Sequence, residues 1–213
     1  MRGLIAPAIA AVLTAGCAAS GADRPFTPGG GEGGPAAGAS ATTSGAAPRT
    51  ETLAVDSGLK VIVEWPGGIT AEHTEMLETF RDAYVGMFKG VVTRGRDEHY
   101  MTLMELEAGK TSFEWVKDYL DKKRSVRGTA RLFGLKVSSE QDRAAQVDVC
   151  VDETQVRYVD ARTGQDLPAE PGSDDESVYL QSAGVRQGDD GNWRIKLFRY
   201  AELTNERAKG CRR

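Results

Sequence analysis

Residues 144–164 read AAQVDVCVDETQVRYVDARTG. Val147, Val149 and Val151 alternate with Asp148 and Cys150. A period of two with β-branched residues at every second position predicts a strand with one buried face, here Ala144–Val151. Asp148 and Cys150 then share the face turned away from the core. Asp152-Glu153 carries turn chemistry, so a second strand is expected over Gln155–Ala161, closed by the turn Arg162-Thr163-Gly164. On that second strand Tyr158 and Asp160 share parity and line one surface.

The same period runs through the rest of the C-terminal half. Strands are expected near Thr129–Ser138, Val178–Gln187 and Trp193–Tyr200, with Gly188-Asp189-Asp190-Gly191 as a turn and Pro168–Glu176 as an acidic, proline-bearing loop. Before Gly128 the period is 3.6. Met76, Leu77, Phe80, Ala83, Tyr84, Met87, Phe88 and Val91 make one apolar stripe, which predicts a helix over Ile69–Val92 with Thr70 as N-cap. A second helix is expected over Glu98–Ala108, ended by Gly109. Thr111-Ser112-Phe113-Glu114 reads as a capping box that opens a third, with Trp115, Val116, Tyr119 and Leu120 inward and Lys122, Lys123 and Arg124 in its last turn. Leu59, Val61, Val63 and Trp65 predict one more strand ahead of the helices. Helices followed by hairpin-linked strands give an α+β class: about three N-terminal helices packed on the concave side of a strongly curved antiparallel sheet.

The chain begins MRGLIAPAIAAVLTAGC. Arg2, a short apolar run and small residues have the layout of a secretory signal peptide over residues 1–16, too short to span a bilayer. Leu13-Thr14-Ala15-Gly16-Cys17 resembles the lipobox of bacterial lipoproteins, in which the signal is cut before the cysteine and its thiol takes a diacylglycerol. That resemblance implies lipidation of Cys17 and anchorage at the outer face of the cell membrane; two acyl chains suffice for stable anchoring. Residues 17–50 are nearly all Gly, Ala, Ser, Thr and Pro, the composition of a disordered tether. Residues 51–213 form the folded domain.

The formal net charge of the 213-residue chain is −4. No basic patch or phosphate loop points to nucleic acid, and nothing calls for a cofactor. With Cys17 lipidated, Cys150 and Cys211 remain as a disulfide pair in an oxidising compartment. His73 and His99 have no metal-ligand spacing with a cysteine, so no metal site is expected.

The long helix with Tyr84, then Val149-Cys150-Val151-Asp152, Val159-Asp160-Ala161-Arg162-Thr163-Gly164, Asp190-Gly191-Asn192-Trp193-Arg194-Ile195 and the late Cys211 resemble the NTF2-like superfamily. More narrowly they resemble small secreted actinobacterial lipoproteins with such a domain. The resemblance implies a cone of helices and bent sheet, a scaffold that serves isomerases, dehydratases and cyclases as well as binding modules. Its enzymes put Asp, His or Tyr inside the cone, which makes Tyr84, His73, His99, Tyr100, Tyr158, Asp148 and Asp160 the candidates here. Each also has an ordinary structural reading. Tyr84, Trp115, Tyr119 and Trp193 either surround an apolar pocket or simply fill the core. No nucleophile, base and orienter fall into a recognisable set. The expected function is a non-catalytic, lipid-anchored surface module that binds an envelope protein or an apolar small molecule, or helps assemble envelope machinery. The alternative is a surface enzyme of isomerase, dehydratase or cyclase type with an acid–base residue in the cone.

Overall fold

The computed structural model of the chain describes residues 46–168 and 177–213. The signal segment, Cys17 and the tether up to residue 45 lie outside the described residues, as does most of the acidic loop after Pro168. The described elements run β1 (Arg49–Ala54), β2 (Leu59–Trp65), α1 (Ala71–Val92), a 3₁₀ segment (His99–Leu103), α2 (Leu106–Asp121), β3 (Arg124–Gln141), β4 (Ala144–Asp160), β5 (Val178–Gln187), β6 (Trp193–Glu202) and a C-terminal 3₁₀ segment (Glu206–Cys211). The class is α+β. All six strands form one sheet in sequence order, β1 to β6.

The sheet is antiparallel except where β2 runs parallel to β3, Leu59 opposite Gly128. This corrects the fully antiparallel expectation. A helical layer intervenes between β2 and β3, and such a crossover returns the chain parallel. The helices are therefore framed by strands: a β1–β2 hairpin precedes them. β1 begins at Arg49, so the ordered domain takes in two residues assigned by composition to the tether. Arg49 stacks over Trp65, whose indole N–H donates to Glu51, and Glu51 pairs with Arg81 of α1 at 3.1 Å. These contacts tie the first strand to the first helix.

α1 follows its sequence pattern. Thr70 caps it by accepting the His73 N–H, and all eight residues of the apolar stripe are buried. Gly86 and Gly90 form a notch one turn apart, and Tyr100 packs into it; a Cβ on Gly86 would stand 2.9 Å from the Tyr100 Cβ. The second and third expected helices differ from what forms. The first is a single 3₁₀ stretch, and α2 runs unbroken through Gly109 and the supposed capping box. The break falls earlier, because Met104 bridges to Ile195 and the Glu105 N–H donates to the Ile195 carbonyl. Gly109 lies inside the helix, buried against Met101 and Met104, and does not terminate it. α2 stops at Asp121, and Lys123, in the left-handed region, turns the chain into β3.

The core lies between the helices and the concave face of the sheet, where Val147, Val149, Val151, Ala183, Val185 and Ile195 meet Phe80, Phe88 and Val91. On the other face Phe133, Cys150, Leu180 and Ala201 form a small second cluster covered by Ala208 and Cys211. The Cys150–Cys211 disulfide joins them, with Cα atoms 5.3 Å apart. Among the described residues no helix is long and apolar enough to cross a membrane.

Candidate functional site

Residues 152–154 were expected to turn. They instead stay in β4, which runs unbroken from Ala144 to Asp160. Opposite them β3 is shorter: Thr129 pairs with Gln155 while Arg131 pairs with Asp152, so the bulge falls within 153–154. The bulge changes the parity. Val147, Val149, Val151 and Glu153 face the concave side, and beyond the bulge Val156 and Tyr158 do. Turn-like residues thus serve a bulge, which re-aims side chains on a sheet without ending it. It brings Glu153 and Tyr158 onto one cavity.

That cavity, about 280 Å³, lies between the helices and the sheet. α1 contributes Tyr84, Met87 and Phe88, and α2 contributes Thr111, Ser112, Trp115 and Tyr119. β4 adds Glu153 and Tyr158, β5 adds Tyr179 and Gln181, and β6 adds Tyr200. The rings touch in series: Tyr84 on Phe88 at 5.2 Å, Phe88 on Trp115 at 5.3 Å, Trp115 on Tyr119 at 4.6 Å and Tyr119 on Tyr158 at 5.9 Å between centroids. Tyr179 and Tyr200 close the other side at 5.8 Å.

Glu153 is the one acid in the lining, which holds no Lys, Arg or His among the described residues. The Tyr84 hydroxyl donates to its Oε1 at 2.5 Å and the Tyr179 hydroxyl to the same oxygen at 3.1 Å. Desolvation raises the Glu153 pKa above the usual carboxylate value; the two tyrosine hydrogen bonds pull it down and the Asp152 charge pushes it up, and the net shift is upward. Burial likewise drives the Tyr84 and Tyr179 hydroxyls well above the ordinary tyrosine value, with the Glu153 charge adding to it, so both remain donors. Two further polar atoms on the cavity wall are buried without a partner, Ser112 Oγ and Gln181 Oε1, while Gln181 Nε2 donates to the Tyr200 hydroxyl at 3.2 Å.

Of the four aromatic residues singled out from sequence, Tyr84, Trp115 and Tyr119 meet at this cavity. Trp193 does not join them. It opens β6 opposite Gln187, whereas the cavity is lined by the Gln181–Tyr200 pair seven positions along, roughly 23 Å away at strand rise. Trp193 lines a separate depression with Glu75, Glu78 and Asp82.

The other candidates scatter. Tyr158 is in the cavity, and Tyr100 is locked in the core. His73 pairs with Glu140 at 2.8 Å, and His99 is exposed. Asp160 accepts from the Arg162 and Thr163 N–H groups at the end of β4. Asp148 lies on the outer face beside Cys150 and is buried there, accepting from Ser182 Oγ at 2.6 Å and Gln146 at 2.9 Å. Desolvation pushes its pKa up, but the hydrogen bonds outweigh it and the net shift is downward. Among the described residues no group of three His, Cys, Asp or Glu is placed to hold a metal ion.

Glu153, Tyr179, Gln181, Tyr200 and Ser112 escaped the sequence reading. The signal for Glu153 was present, since it continues the parity of Val147, Val149 and Val151, but the turn-like Asp152-Glu153 pair hid it. Tyr179 and Gln181 share the parity of Ala183 and Val185 on β5.

No protein-family model matches the chain, and no curated protein matches it. Solved structures of similar shape include the intermembrane space region of the chloroplast protein ARC6, at TM-score 0.45 and 13% identity over 63% of this chain and 98% of that one. A ketosteroid isomerase-like protein from Erwinia carotovora atroseptica gives 0.40 and 11% over 64% and 100%, and a protein from Catenulispora acidiphila gives 0.40 and 9% over 63% and 96%.

Proposed function

We propose that this chain is an exported lipoprotein with an NTF2-like cone, held at the outer face of the cell membrane by a diacylglycerol on Cys17, and that it is a non-catalytic binding module for a small molecule with an apolar body. The observation that carries the reading is the cavity: aromatic rings from both helices and three strands surround a space near the lower end of ligand-pocket volumes, with a few polar atoms converging on it. The element order and the concave placement of the helices support the cone. The lipobox-like start and the tether composition support the anchor. A single acid, with no histidine and no second carboxylate in the lining, supports binding over chemistry.

One observation favours a second reading. Glu153 is half-buried, oriented by two tyrosines and raised in pKa, which is how a general base or acid is prepared in an enzyme pocket.

Two experiments test the proposal. Cys17→Ser is expected to move the protein from the membrane pellet to the soluble or medium fraction, and retention in the pellet overturns the anchor. The neutral apolar dye N-phenyl-1-naphthylamine is expected to bind the wild type and to be excluded by Thr111→Trp, a bulky change at an exposed position on the cavity wall. Equal binding to both places the dye elsewhere and removes the cavity reading. A bound ligand recovered chemically altered moves the case to the enzyme.

A further inference from the structure

The polar atoms of this cavity that lack a partner among the described residues can all accept a hydrogen bond. Glu153 offers a carboxylate whose Oε1 already takes two tyrosine donors, leaving Oε2 without a hydrogen-bond donor on it. Gln181 Oε1 is an acceptor, buried and unpartnered. Ser112 Oγ, on the same wall, is fully buried and unpartnered, a hydroxyl that can accept as well as donate. Buried polar atoms are nearly always satisfied, and orphans that converge on a cavity mark the place of an absent partner. A partner that donates would satisfy all three.

Charge points the same way. Among the described residues the lining holds no Lys, Arg or His beside the carboxylate; Arg124, 5.7 Å over the Tyr158 ring, is not one of the lining residues. A carboxylate partly withdrawn from water with no cation beside it is destabilising, and a positive partner with hydrogen-bonding capacity relieves it. The wall is also rich in π faces: Phe88, Trp115, Tyr119 and Tyr158 lie in ring-to-ring contact. Aromatic faces attract cations within about 6 Å, most strongly when water is excluded. An acidic group, orphan acceptors and an aromatic wall are three independent demands that one chemical group meets.

Resting on the binding reading above, we infer that the cavity takes an organic ammonium ion, a protonated primary or secondary amine on an apolar body, its N–H groups seated on Glu153 and the orphan acceptors Gln181 Oε1 and Ser112 Oγ. A quaternary ammonium would satisfy the rings and the charge but leave all three acceptors empty. An alcohol would supply one donor and no charge. A carboxylate would be repelled.

The test is a calorimetric titration of the full-length chain with four matched probes: 2-phenylethylammonium, its N,N,N-trimethyl analogue, 2-phenylethanol and 3-phenylpropionate. The primary ammonium is expected to bind at least tenfold more tightly than the alcohol and the trimethyl compound, and the carboxylate not to bind. Glu153→Gln is expected to weaken the ammonium at least tenfold and the alcohol by much less, with a far-ultraviolet spectrum and melt confirming that the variant is folded. If the alcohol or the carboxylate binds as tightly as the ammonium, the cavity is real but the amine inference is overturned. Equal affinity for the trimethyl compound overturns the hydrogen-bonded seat. If none of the four binds the wild type, the small-molecule reading falls together with it. The wild-type series decides the matter even if Glu153→Gln fails to fold.

Discussion

Cutting the Cys150–Cys211 bridge, by Cys150→Ala with Cys211→Ala, removes a cross-link between residues 61 apart in sequence. The chain-entropy relation for a loop of that length gives a loss of about 4 kcal/mol through the greater freedom of the unfolded chain. The folded state keeps several ties on the tail. The Arg213 guanidinium stacks over Phe133 at 3.8 Å and pairs with Glu64 at 2.6 Å. Arg207 donates to Ser182 Oγ at 3.0 Å, and Ala208 stays buried against the small outer cluster. The tail should therefore still dock, and the loss should stay near the entropic figure. For a domain of this size, about 4 kcal/mol corresponds to a fall of roughly 8–16 °C in melting temperature. Urea unfolding of the oxidised wild type and the double variant measures it directly. Trypsin adds a local readout, because Arg207 and Lys209 sit in the tail and should be cut sooner in the variant. A loss under about 1 kcal/mol would refute the reasoning, since the non-covalent ties alone would then be holding the C-terminus. Free thiols at both positions in the exported protein would refute it as well.

Glu153→Gln should stabilise the unliganded protein at neutral pH. The folded-state pKa of Glu153 lies above its ordinary value of 4.5, so its contribution is fully present below that value and is lost as pH rises through the folded pKa. The variant's advantage should open on that rise; urea midpoints between pH 4 and 8 that show a constant or shrinking gap refute it. Tyr84→Phe removes the shorter of the two donors to Glu153 and should cost about 1–3 kcal/mol, read by urea unfolding. Gly128→Ala should cost about 3 kcal/mol or more, because φ is +115° and the new Cβ would fall 2.0 Å from the Gln155 carbonyl oxygen. Gly210→Ala, with open space around it, serves as its neutral control in the same soluble-yield and unfolding assays.

The legible parts of this protein are those whose cause is local and repeated. The α1 stripe from Met76 to Val91 states a buried face at every turn, and Thr70 states where the helix begins. The alternation of Val147, Val149 and Val151 states a strand and puts Asp148 and Cys150 on its other side, where the disulfide forms. Each of these repeats one physical demand several times, so one ambiguous residue does not spoil the reading. What depended on distant partners was not legible. Gly109 reads as a helix end, and only the pairing of Met104 and Glu105 with distant Ile195, which sets the helix start just ahead of it, makes it a helix interior. Leu59–Trp65 reads as a strand, but its parallel partner is set by the helical layer that carries the chain back to β3. Asp152-Glu153 reads as a turn, because the residues suit one and the pairing that makes them a bulge comes from β3 and β5. The candidate site rests on that last decision. Four of its rings, Tyr84, Phe88, Trp115 and Tyr119, were visible from periodicity alone, but its one carboxylate among the described residues reaches the cavity through a shift of register between two long strands, and register is a property of the sheet rather than of any one segment.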